Sequence, residues 1–245
     1  MTPIASAPRA SAIRNASAAF VLVSLIIGVE YICRHYLMFW LPTIGTLRVN
    51  DMLSLVCAYS VLAGGLGSLM GVDWIEELAG VGQALRDCMT SWRYTGWIVA
   101  TALSLGLLPI LDRLVWAGMH LPMLTSSARN SIVWLPTFAP LLKGTSFIFV
   151  NGLCVPLGEE FLWRGFVQSR LVRAVPVPLA IGITAVCFSL KHVLVDASFG
   201  RALTIAALGI IFGILAHRKS WRASAALHIF INTLSSIMAL VLGLI

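Results

Sequence analysis

Runs of about 20 predominantly apolar residues recur along this chain, and that is the length a helix needs to cross a bilayer. About seven can be drawn, over 16–40, 51–71, 94–117, 144–171, 176–196, 199–217 and 221–244. They predict an all-α fold, a polytopic transmembrane helical bundle of about seven to eight spans. The chain has 245 residues, of which 59% are hydrophobic and 11% charged, and a mean hydropathy of +0.92. That is too apolar for a soluble globular domain. The formal charge is +7, but the 17 basic residues are scattered in ones and twos between apolar runs. No nucleic-acid partner is expected from that pattern. The five cysteines lie apart with no CxxC among them, which argues against a disulfide framework or a zinc knuckle. Arg9 and Arg14 precede the run from Ala16 as in a signal peptide, yet the run is long and lacks a small-residue cleavage site. It reads as an uncleaved first span.

These runs divide the chain into a cytoplasmic tail at 1–15, N-terminal transmembrane helices at 16–143 and a C-terminal core at 144–245. The stretch DWIEELAGVGQALRDCMTSWR from Asp73 is too polar to cross and predicts an interfacial helix near 73–92. Residues 118–142, with Pro122, Pro136 and Pro140, form the longest other connection. Trp40, Trp74, Trp92, Trp97, Trp116, Trp134 and Trp221 fall near proposed span limits, as rings at headgroup depth should, whereas Trp163 lies inside a span. With the N-terminus in the cytoplasm, Arg9, Arg14, Arg86, Arg93, Arg170, Arg173, Arg218, Lys219 and Arg222 are cytoplasmic, while Arg48, Arg129, Lys143 and Arg201 face outward. The bias fits the positive-inside rule and places the C-terminus outside. GSLMG (67–71) and GIIFG (209–213) have the spacing that lets helices approach closely.

Ionisable groups at bilayer depth cost several kcal/mol, so each is a functional signal. GLCVPLGEEFLWRGFVQSRL carries Glu159, Glu160 and Arg164 in the fourth span, CFSLKHVLVD carries Phe188 and His192 in the fifth, and WRASAALHIFINTL carries His228 and Asn232 in the last. Residues four apart share a helical face, so Glu160 can pair with Arg164. Glu159 points elsewhere and is expected to be free to act. His228 and Asn232 are also four apart and can present two neutral donors, which suits a developing oxyanion. Phe188, one turn before His192, can pack on the imidazole. Each feature also has a plain packing reading: Glu160–Arg164 as an ion pair welding helices, a lone histidine as a hydrogen-bonded core residue. Their co-occurrence is what favours function. His35, His120 and His217 are assigned to interfaces, and Glu30, Asp112 and Arg113 to structural roles.

The three motifs resemble those of the CPBP family, the glutamic intramembrane proteases that include CaaX-processing endoproteases. EEFLWR (159–164) is similar to its EExxxR motif, FSLKH (188–192) to FxxxH and HIFIN (228–232) to HxxxN, in that order. The resemblance spans about 144–243 and makes residues 144–245 the expected catalytic core. It implies an intramembrane endopeptidase of a bacterial inner membrane, acting on a membrane-associated peptide or protein with the lipid bilayer as its solvent. Glu159 with His192 would activate water, His228 and Asn232 would stabilise the oxyanion, and Glu160 with Arg164 would hold the site's shape. No cofactor is expected. Two glutamates and two histidines can equally ligate zinc, in which case Glu159, His192 and His228 are the ligands; the metal-free scheme is favoured. A proton-coupled transporter and a non-catalytic membrane scaffold are the alternatives, although neither repeated halves nor broken helices are evident.

Overall fold

In an apolar solvent each backbone N–H and C=O must be satisfied within the chain, and helices do this residue by residue. A computed structural model of the chain describes residues 9–37, 43–44, 49–117, 119, 131–132, 144–196 and 198–242, and helix dominates them. Helix α1 covers Arg9–Ile32 and runs on through a wide turn at Cys33–Leu37; α2 covers Val49–Tyr59 and continues through Ser60–Gly64 and Gly65–Leu69. Helix α3 is Trp74–Thr90 and α4 is Thr95–Val115. Helix α5 is 144–171, followed by α6 (Val177–Asp196), α7 (Ala202–Arg218) and α8 (Trp221–Val241). A two-residue parallel ladder joins Thr43–Ile44 to Ser131–Ile132. The expected connection at 118–142, with Trp134, lies almost wholly outside the described residues, as does Trp40.

The helices correspond to the apolar runs read from sequence, and α3 covers the polar stretch that follows Asp73. Asp73 caps α3 by accepting from the N–H groups of Ile75 and Glu76. Gly71, at φ +68°, turns the corner between α2 and α3, a conformation glycine adopts without Cβ strain. The two helices meet at 118°. By length and composition, Ala10–Tyr36, Trp92–Val115 and Val177–Asp196 qualify as membrane spans, and the bent α2–α3 pair makes a fourth if taken as one. Helix α7 is apolar but only 17 residues long.

Helix α6 packs on α7, α7 on α4 and α8, and α8 on α3 and α5, while α1 closes against α2, α5 and α6. The core between α1, α2, α5 and α6 is built from Ile26, Tyr59, Leu162, Trp163, Val167, Ala180 and Phe188, all buried. Helix α4 instead turns Val99, Leu103, Leu107 and Leu114 outward, as a lipid-facing helix does. The tryptophans divide: Trp92 is 82% exposed, but Trp74 and Trp221 pack on Phe161 with ring centroids 4.6 and 5.2 Å away. Those two serve the protein interior more than the headgroup belt. Asp112 acts structurally, as expected. Its carboxylate accepts from the N–H groups of Leu203 (2.8 Å) and Thr204 (2.9 Å) and from the Thr204 hydroxyl (2.6 Å), capping α7 from α4.

The two small-residue motifs part company. In GIIFG, a Cβ on Gly209 would lie 2.9 Å from Ala185 Cα, so the α6–α7 contact depends on its absence. In GSLMG, Gly67 accommodates Trp74 and Gly71 makes the corner, which is not a crossing of two spans. Gly209→Ala should therefore lower the melting temperature in detergent by the equivalent of about 1–3 kcal/mol of overpacking. Gly28→Ala, where nothing lies within 4 Å of the added carbon, should leave it unchanged or higher.

Candidate active site

Pro156 shapes the helix that carries the glutamates. It has no N–H, so one carbonyl a turn earlier loses its helical donor, and the helix is widened over Ile148–Cys154. Two carbonyls of that stretch accept from α8: Asn232 Nδ2 donates to Asn151 O at 3.0 Å and Thr233 Oγ1 to Gly152 O at 3.4 Å. Asn151 in turn donates through Nδ2 to Ser236 Oγ at 3.1 Å. Gly152 and Gly158 allow close approach, since a Cβ would lie 2.7 Å from Thr233 and Tyr59 respectively. The widened stretch thus holds α5 against α8 ahead of Glu159. A second widened stretch, Phe161–Gln168, follows the glutamates directly.

Glu159 and Glu160, both buried, enter two separate networks. Glu160 Oε1 accepts from Arg164 Nη1 at 2.9 Å and lies 3.0 Å from His228 Nδ1, while Oε2 accepts from Ser224 Oγ at 2.6 Å. Arg164 continues to Gly209 O at 3.2 Å and lies over Phe188, its guanidinium carbon 4.6 Å from the ring centroid. Glu159 Oε1 accepts from Lys191 Nζ at 2.7 Å and Tyr59 Oη at 2.9 Å, and faces His192 Nε2 at 3.7 Å. The same lysine reaches Glu30 Oε2 at 3.2 Å, and Tyr59 donates to that oxygen at 2.7 Å. One ammonium and one phenol therefore serve two carboxylates from α1 and α5.

The expectation that Glu159 is free needs correction. Helix geometry does separate it from the Glu160–Arg164 pair, but the direction it takes leads onto Lys191, so it is ion-paired at 2.7 Å. Glu30 acts structurally, holding Lys191 from α1, and also lines the same cavity. Lys191 carried a readable signal, a lysine one residue before His192 inside a span. Tyr59 gave none, since a tyrosine near a predicted helix end is unremarkable.

His192 stands between two carboxylates, with Nδ1 3.8 Å from Asp196 Oδ2, and Phe188 meets its ring edge-on at 5.0 Å and 85°. His228 stacks on Phe212 at 4.6 Å and 27°. Glu160, held by Arg164, is acceptor-only when ionised, so the Nδ1 facing it carries the proton. In the neutral ring Nε2 is then an acceptor. It donates only when the ring is doubly protonated, which revises the expectation of a neutral N–H donor at this position.

A polar cavity of about 270 Å³ brings Glu159, His192, His228 and Asn232 together with Lys191 and Glu30. Glu160 and Arg164 do not line it and stand behind His228. Among the described residues no three His, Cys, Asp or Glu side chains form a metal-ligand set. At Glu159 Oε1 the cation present is the Lys191 ammonium, at 2.7 Å.

The helical bundle gathers carboxylates, imidazoles and an amide, the groups that acid–base chemistry uses, around one small cavity. Residues 140–234 match the family model described as type II CAAX prenyl endopeptidase Rce1-like, which is the CPBP resemblance carried by EEFLWR, FSLKH and HIFIN. No curated protein and no solved structure matches the chain. The matched region takes in α5, α6, α7 and most of α8, hence both glutamates, both histidines and Asn232, whereas Glu30 and Tyr59 come from outside it.

Lys191→Met should destabilise the protein by about 3–5 kcal/mol, because it strips the ammonium from two buried carboxylates. Adding Glu30→Gln should recover part of that loss, and the cycle of single and double variants, read by thermal melting, should give a coupling energy of at least about 0.5 kcal/mol.

Proposed function

We propose that this membrane protein of the CAAX-endopeptidase type hydrolyses a peptide bond of a membrane-associated peptide or protein in the cavity between Glu159 and His228. The observation that carries the reading is the gathering of Glu159, His192, His228 and Asn232 around one cavity, with the Glu160–Arg164 pair behind His228. Contacts to Glu159 among the described residues fall on Oε1, which leaves Oε2 to take a proton from water. The hydroxide formed adds to the scissile carbonyl, and the developing oxyanion meets Asn232 Nδ2 and a doubly protonated His228 whose counter-ion is Glu160. His192, 3.7 Å from Glu159 and backed by Asp196, orients the water; the proton held by Glu159 is then given to the leaving amine as the C–N bond breaks, which returns Glu159 to its carboxylate. The step uses only groups of this chain.

A second assignment is favoured by one distance, the 3.0 Å between Glu160 and His228, shorter than the 3.7 Å between Glu159 and His192. In it the Glu160–His228 dyad supplies the base through His228 Nε2. The glutamates separate the two assignments. Glu159→Gln should lower turnover by roughly 10²–10⁴-fold with the fold retained, because Lys191 keeps Glu30 as a partner. Glu160→Gln should also unfold the protein at lower temperature, by about 3–5 kcal/mol, since Arg164 loses its counter-ion; adding Arg164→Met should recover stability. A stable, inactive Glu160→Gln beside an unstable Glu159→Gln exchanges the roles.

The substrate itself should emerge from comparing membrane-peptide fragments in cells carrying the wild type and Glu159→Gln. With that peptide, the purified enzyme should keep its activity after exhaustive chelation. Loss restored by stoichiometric zinc would refute the metal-free step.

A further inference from the structure

Among the described residues the two ends of the bundle differ in charge, and the rim of the polar cavity lies at one of them. Contacts establish which helix ends lie together. Arg170 reaches Met70 Sδ at 3.9 Å, Lys219 Nζ lies 3.8 Å over the Tyr94 ring, and Arg222 pairs with Glu77 at 2.6 Å. The α2–α3 corner, the start of α4, the end of α5 and the α7–α8 turn therefore share one end. At the other, Arg34 and Arg201 both meet Asp196, at 3.1 and 2.6 Å, and Asp112 caps α7.

Eight basic side chains among the described residues gather at the first end, Arg14, Arg86, Arg93, Arg173 and Arg218 joining the three just named. The second end has three: Arg34, Arg113 and Arg201. By the positive-inside rule the first end faces the cytoplasm.

The cavity belongs to the second end. Its rim is Arg34, Asp196, Arg201 and Ser235. Side-chain exposure climbs toward that rim, from 3% at Glu159 and 8% at His228 to 20% at His192 and 62% at Arg201. Deep to Glu159 the path toward the cytoplasmic end is filled by Leu162, Trp163 and Val167, each 0% exposed.

We infer that the site is entered from the non-cytoplasmic face, and that its substrate is a membrane-anchored segment already carried across the bilayer. A translocation reaction must then supply the substrate, and a tail that stays in the cytoplasm cannot reach Glu159. The substrate half of this inference rests on the endopeptidase reading; the sidedness does not.

The test is a cysteine introduced at the rim of the full chain, Ser235→Cys, labelled with a membrane-impermeant sulfonated maleimide. Labelling is compared in spheroplasts and in inverted vesicles, with the unaltered chain as the background. Ser235→Cys should gain label in spheroplasts and lose it in inverted vesicles, and Lys219→Cys should do the reverse. Arg201→Cys repeats the rim measurement should Ser235→Cys fail to fold. Rim label gained from the cytoplasmic side, from both sides or from neither overturns the inference. Because labelling requires no turnover, an inactive protein with the expected pattern would refute the endopeptidase reading alone.

Discussion

A charge at bilayer depth must be answered by another charge or by hydrogen bonds, and Lys191 answers for three helices at once. Its ammonium lies 2.7 Å from Glu159 on α5 and 3.2 Å from Glu30 on α1 while projecting from α6. Tyr59 of α2 bonds both carboxylates. Four helices are thereby tied at one depth by groups that are costly to leave unpaired. Small residues work to the same end. Gly158 lets Tyr59 approach α5, and Gly209 lets α7 approach α6 while its carbonyl receives Arg164.

The candidate site has two layers. Its inner layer, Glu160 with Arg164 and Ser224, does not line that cavity and acts by holding His228 through Nδ1. Its outer layer, Glu159 with Lys191, lines the cavity beside His192, and Tyr59 supports Glu159 from α2. Adjacent residues on one helix serve both layers because they point about 100° apart. The widened stretch before Pro156 adds the third coordinate, since its carbonyls hold Asn232 in place from across the α5–α8 contact.

Much of the fold was legible in the sequence because lipid imposes so narrow a choice. Apolar length marked the helices, and the acidic stretch after Asp73 marked the one that turns aside. The Glu160–Arg164 pair and the Phe188–His192 contact followed from helical spacing alone. Partners between helices did not, because a 161-residue separation such as Glu30 to Lys191 has no periodicity to read. Trp74 and Trp221 illustrate the same limit. Both stand at helix ends, yet they face Phe161, since a tryptophan at an end can turn toward lipid headgroups or toward the protein and only packing decides. His228 shows a finer one, as its spacing to Asn232 suggested a donor while the tautomer was set by Glu160 from another helix.

The sharing of Lys191 also bears on how the chain is made. Synthesis from the N-terminus delivers Glu159 to the membrane before the lysine that neutralises it exists, whereas Glu30 has Arg34 one turn on in its own helix, at 3.7 Å. Glu160 has Arg164 within its own helix from the start and can enter already paired. Glu159 must wait for α6, in an insertion machinery or in the company of Tyr59 alone. The charge of Glu159 is therefore balanced only once α6 has brought Lys191 beside α5.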